Sequence, residues 1–108
     1  MKKILCAVIF VLCISNVQAI VTIKGSGNIS CGTYLKEKEI KPTEHYVTRS
    51  WIMGFLSGTA AANSIDILKN IDVNAVEGAV TKYCQENPLQ DVYDATVDVY
   101  FQLKKRMK

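Results

Sequence analysis

The chain has 108 residues, 49% of them hydrophobic, with 13 basic and 10 acidic side chains and four cysteines. That is one domain's worth of chain. Part of the positive excess belongs to Lys2 and Lys3; without them 11 basic residues face 10 acidic ones, which excludes the strongly basic surface of a nucleic-acid-binding domain.

Residues 1–19 read as a secretory signal peptide. Lys2 and Lys3 form its positive end, Ile4 to Ile14 its apolar core, and Val17-Gln18-Ala19 its small-residue cleavage pattern. The apolar run is about 11 residues, short of the roughly 20 that span a bilayer. Cys6 follows Leu5 and Cys13 follows Leu12, where a lipoprotein signal has a small residue. Cleavage after Ala19 leaves 89 residues with Cys31 and Cys84, bound for an oxidising compartment. A domain of this size commonly needs a covalent staple, and two cysteines allow one intramolecular bridge, Cys31–Cys84. Neither the clustered ligand spacing of a zinc site nor a Cys-x-x-Cys redox pair is present.

In chain order, residues 20–30 read as a flexible N-terminal arm with Gly25-Ser26-Gly27-Asn28 as a swivel. Ser30 caps a first helix from Cys31 to about Ile40. Cys31, Tyr34 and Leu35 line its apolar side, while Lys36, Glu37, Lys38 and Glu39 make a solvated face. Pro42 stops it. Thr43 is the expected cap of a second helix, about Glu44 to Ala62, with a core face of Val47, Trp51, Ile52, Phe55, Leu56 and Thr59. Gly54 and Gly58 each cost this helix about 1 kcal/mol relative to alanine. Their Gly-x-x-x-Gly spacing predicts close approach of a neighbouring helix, which makes Trp51, Gly54, Phe55 and Gly58 the expected packing residues. Ser57 between them has no preceding strand and no partner base, so it reads as a packing serine.

Residues 63–70 are a connection that folds Ile65, Ile67 and Leu68 over the core. Asp72 caps a third helix, about Val73 to Glu86, with Val73, Val76, Val80, Tyr83 and Cys84 as its stripe; Gly78 suggests another close crossing. Asn87-Pro88-Leu89-Gln90 has the form of a capping box with proline at the first helical position. The last helix is therefore expected to begin there and to bury Leu89, Val92, Tyr93, Thr96, Val99, Tyr100 and Leu103. It ends in a basic tail, Lys104, Lys105, Arg106 and Lys108, that suits a helix C-terminus. Residues 31–108 thus read as an all-α, four-helix domain stapled by one disulfide.

The chemistry is sparse. His45 is the single histidine and reads as a packed or solvated side chain. No metal-ligand cluster, phosphate loop or nucleophile with a base stands out, so no catalytic residue, cofactor or metal is expected. The reading is a non-enzymatic protein that binds a protein partner or unfolded clients, with self-association as a homodimer among its options. Neither nucleic acid nor an integral membrane segment after signal cleavage belongs to it.

The order of these features resembles a known group. A signal peptide, Cys31 opening the first helix, a middle helix, then Tyr83-Cys84 followed by Asn87-Pro88-Leu89 and a terminal helix are similar to the small periplasmic proteins of the HdeA/HdeB acid-stress chaperone superfamily. The resemblance implies an all-α fold with one disulfide and a chaperone that holds unfolding clients in an acidified periplasm. Its activation would follow protonation of carboxylates such as Glu44, Asp66, Asp72, Glu77, Asp91 and Asp94. The segment Trp51-Ile52-Met53-Gly54-Phe55-Leu56-Ser57-Gly58 also resembles the Gly-rich second helix of Rap/Tai-type immunity proteins, which implies a rigid inhibitor of one toxin.

Overall fold

A computed structural model of the chain describes residues 21–107; the expected signal peptide, its cleavage point and Lys108 lie outside the described residues. Four α-helices, α1 (Cys31–Ile40), α2 (Pro42–Asn63), α3 (Val73–Glu86) and α4 (Val92–Lys105), follow a 3-10 turn at Gly25–Asn28. Among the described residues there is no strand, only an isolated antiparallel bridge between Ser30 and Asp91. The fold is all-α, as the apolar periodicity predicts.

Each helix boundary has a local cause. The Ser30 side chain accepts from Thr33 N–H at 3.0 Å and caps α1. Lys41 precedes a proline and is kept out of the helical region (φ −132°, ψ 76°), so α1 must end there. Pro42 restarts the chain at the first position of α2, and no side chain caps that end. The expected Thr43 cap is therefore absent, because proline needs no N–H partner. At the other end of α2, Ser64 adopts a left-handed conformation (φ 53°), and Ile65 N–H reaches back to the Ala60 carbonyl at 3.1 Å. This Schellman-type closure turns Ile65 onto the core beside Ile67 and Leu68. Asp72 caps α3 through Ala75 N–H at 2.7 Å.

The corner after α3 differs from its expectation. Asn87 closes α3, its side-chain amide donating to the Tyr83 carbonyl at 3.0 Å. Residues 87–90 then make a turn closed by Gln90 N–H to the Asn87 carbonyl at 3.1 Å, a role that Asn followed by Pro fills as readily as a helix start. Asp91 is the true cap of α4, accepting from Asp94 N–H at 2.8 Å. Leu89, expected inside, is 97% exposed.

The turn's carbonyls instead serve α1. Cys31 N–H donates to Gln90 O at 2.7 Å and Gly32 N–H to Pro88 O at 3.1 Å, while Val92 N–H returns a bond to Ile29 O at 3.0 Å. Amides at the start of α1 that lack intrahelical partners are thus satisfied from across the fold. Beside them Cys31 and Cys84, both fully buried, are joined with Cα atoms 4.8 Å apart. The start of α1 is tied to the end of α3, the expected pairing.

The core is one cluster drawn from all four helices and the α2–α3 connection: Cys31, Tyr34, Ile52, Leu56, Ile67, Val76, Val80, Cys84, Val92, Ala95, Val99 and Leu103. Val47 is not in it, being 55% exposed; Thr48, one position on, is buried instead. Within the expected flexible arm, the turn at Gly25–Asn28 packs against Trp51 of α2. Gly27 is buried beneath Trp51, where an added Cβ would lie 2.3 Å from the indole. The Trp51 indole N–H donates to the Lys24 carbonyl at 3.1 Å. Here glycine is required by close approach to an aromatic ring.

Cys31 and Cys84 are 53 residues apart, so replacing both by alanine should cost about 4 kcal/mol on the loop-entropy account. Urea denaturation followed by far-UV circular dichroism measures it. A loss below about 1 kcal/mol would mean that the staple carries little of the fold's stability.

Candidate functional site

Two places in the fold carry more than packing. The first is a polar cluster where α1, α2 and α3 meet. Each helix contributes a same-face i, i+4 pair: Tyr34 and Lys38 from α1, His45 and Arg49 from α2, Glu77 and Thr81 from α3. The Glu77 carboxylate receives His45 Nε2 at 2.9 Å and Lys38 Nζ at 3.5 Å on one oxygen, and Arg49 Nε at 3.4 Å on the other. Lys38 Nζ also donates to Thr81 Oγ1 at 3.1 Å, and that hydroxyl pairs with the buried Tyr34 hydroxyl at 3.1 Å. Arg49 is steadied by Asn74 Oδ1 at 3.3 Å. Close by, the buried Thr48 hydroxyl donates to Glu37 Oε2 at 3.2 Å.

The Glu77 side chain is 15% exposed and that of His45 13%. Burial pushes the Glu77 carboxyl up, but the hydrogen bond and charge of His45, then Lys38 and Arg49, outweigh it and hold the group below its ordinary value. Burial raises the Tyr34 phenol, with Thr81 opposing. His45 packs its ring 5.4 Å from that of Tyr34, and its Nδ1 is buried without a hydrogen-bond partner among the described residues. Both Glu77 oxygens are occupied by cations and His45 faces no nucleophile, so the arrangement locks three helices together. Among the described residues no group of three His, Cys, Asp or Glu side chains is placed to hold a metal ion.

Sequence reasoning placed Lys38 and Glu37 on a solvated face and set His45 aside. Both α1 residues instead engage partners on α2 and α3. The signal that could have found the cluster is the set of polar i, i+4 pairs, each on the edge of an apolar stripe.

The second place is the outward face of α2. Gly54 and Gly58 lie on it, and an added Cβ at either would meet nothing within 4 Å. No helix approaches them among the described residues, so the close packing expected there does not occur within the chain; Gly78 is equally open. The reason is register. Trp51, Ile52, Phe55 and Leu56 turn inward, which sends the glycines outward. Phe55 stacks on Trp51 with centroids 5.4 Å apart and meets Tyr93 of α4 edge-on at 5.6 Å.

Tyr46, Val47, Ser50, Gly54, Ser57, Gly58, Ala61 and Ala62 are all exposed along this face. Tyr46 is 68% and Val47 55% exposed. From Ser50 to Ala62 the helix carries no charged residue. Shallow hollows flank both ends, one lined by Tyr46, Arg49, Ser50, Met53 and Val73, the other by Ala60, Ala61, Ser64, Ile65 and Asp66. No helix among the described residues is long and apolar enough to cross a membrane.

At the opposite corner, Asp91, Asp94 and Asp98 surround Tyr83. Burial raises the Tyr83 phenol, as do these three carboxylates. Burial raises Asp94 above its ordinary value, with the Asp91 charge adding to it. A raised carboxyl means that the ionised form is worse off in the folded state. The penalty is present at neutral pH and disappears as the pH falls through the folded value. Asp94→Asn should accordingly raise the melting temperature at pH 7, by up to about 4 °C, because the helix dipole at the first turn of α4 offsets part of the cost. Scanning calorimetry at pH 7 and pH 3 checks the sign; a variant less stable at pH 7 than at pH 3, relative to the parent, contradicts it.

No protein-family model, curated protein or solved structure matches this chain, so the functional reading rests on the geometry of these sites.

Proposed function

We propose that this chain is a non-enzymatic binding protein of the periplasm, of the immunity or inhibitor type, that holds a folded protein partner against the outward face of α2. The observation that carries this reading is that face itself: an exposed, charge-free helix surface with two bare glycines and a bulky end at Tyr46 and Val47. Two glycines in an exposed helix interior lower its stability without serving the chain's own packing. A partner backbone that approaches closely gives them a use. The surface is held in a fixed shape by the Cys31–Cys84 staple, the docked turn at Gly25–Asn28 and the Trp51–Phe55–Tyr93 stack, which suits recognition of one partner with little rearrangement. The disulfide is compatible with an oxidising compartment.

A second reading, an acid-stress chaperone of the HdeA kind, is favoured by one observation, the half-buried Glu77 carboxylate on which Lys38, Arg49 and His45 converge. Circular dichroism and a client-aggregation assay from pH 7 to pH 2 test it; a protein that stays folded and inert toward clients at pH 2 rules it out.

For the first reading, Gly54→Arg and Gly58→Arg should leave the fold intact, since both positions open to solvent, yet abolish capture of the partner from envelope extract at neutral pH. Gly54→Ala should raise stability by about 1 kcal/mol. Pull-downs compared by mass spectrometry, with melting curves on the same samples, decide it. Arginine variants that retain the full set of captured proteins would sink this reading.

A further inference from the structure

We propose that Glu77 is an acid-released clasp on the N-terminal half of α2, so that this half of the recognition face stays seated only while that one carboxylate is ionised. The consequence for binding rests on the α2 face proposed above; the clasp itself does not.

The charged groups that bear on Glu77 come from the two helices packed against its own. From α1 come Lys38 and the Tyr34 hydroxyl, with Glu37 one step away through Thr48; from α2 come His45 and Arg49. On α3 itself Thr81 bridges Lys38 and Tyr34. Among the described residues, Glu77 is thus the only anion in direct contact with Lys38, Arg49 and His45. When it is protonated, Lys38 and Arg49 share a half-enclosed space with no carboxylate between them. Attraction across the three-helix junction turns into repulsion.

The sign follows from the lowered carboxyl. Stability contributed by Glu77 is present above its ordinary value of 4.5 and is lost as the pH falls through its lower folded value. The other end of the bundle responds differently. The Cys31–Cys84 bond does not titrate, the contacts of Val92 and Ala95 beside it are apolar, and Asp94 is relieved by acid rather than harmed. Acid therefore loosens one end of the molecule, the end where Tyr46 and Val47 sit beside His45 and Arg49 on α2. A partner held by the α2 face would be released as the compartment acidifies.

The chain has a single tryptophan, and Trp51 lies on α2 two positions beyond Arg49, against Gly25, Gly27 and Phe55. Its emission reports the seating of that helix without any partner. Full-length protein and Glu77→Gln are titrated from pH 7 to pH 2.5, with melting temperature and Trp51 emission recorded at each step. The variant should melt about 4–8 °C lower at pH 7, and the gap should close as the pH falls through the lowered folded value of Glu77. The parent should show a Trp51 transition below pH 4.5 that the variant lacks. A gap that stays constant across the titration, or a parent emission that does not change, overturns the clasp. If Glu77→Gln does not fold, the Glu77 carboxyl carbon is titrated in the parent by NMR; a midpoint more than about one pH unit from the Trp51 transition likewise overturns it. Failure of the α2 face is read separately, from the Gly54→Arg and Gly58→Arg pull-downs at neutral pH.

Discussion

The fold depends on one junction, where the start of α1 meets the end of α3. A disulfide alone would hold two points. Here Cys31–Cys84 is flanked by bonds from Cys31 and Gly32 to the 87–90 turn and by the return bond from Val92 to Ile29, so covalent and backbone links hold the same few residues. The amides at the beginning of α1 find acceptors, and the turn that supplies them also delivers Asp91 to cap α4. Three helix ends are thereby set by one knot. A helical core of this size gains little slack from burial alone, and the knot supplies the positional accuracy that apolar contact does not.

At the far end of α1 the restraint has a different character. There α1, α2 and α3 are joined by Glu77 and the cations around it, an electrostatic contact that varies with proton concentration, whereas the knot does not. The domain consequently has a permanent end and a conditional end, and α2 runs from the conditional end past the aromatic stack to the Ser64 closure. Its outward face spans both regimes. Under the two proposals above, that placement gives α2 the recognition face and puts its N-terminal half under the control of acid.

Two glycines connect local sequence to this arrangement in opposite ways. Gly27 is required, because Trp51 occupies the space a side chain would take. Gly54 has open solvent in front of it. The same residue type marks intramolecular close packing in one case and an unfilled outer face in the other. Spacing could not separate the two, because Gly-x-x-x-Gly states only that both residues share a face of the helix and not which way that face turns. The 87–90 segment has the same ambiguity. Asn-Pro followed by Gln satisfies a capping box and a turn equally well, and the choice was made by carbonyls needed at α1, some 60 residues away in the chain.

By itself the sequence determined the helical content, the position of nearly every core stripe, the caps at Ser30 and Asp72 and the pairing of Cys31 with Cys84. These follow from periodicity, from local hydrogen bonding and from there being a single way to join two thiols. Tertiary structure alone decided that Lys38, His45 and Arg49 share one carboxylate, that Gly25 and Gly27 dock under Trp51, and that Gly54 and Gly58 face outward. Each of these is a relation between side chains on separate elements, set by how the helices rotate and cross, and no local pattern encodes a rotation.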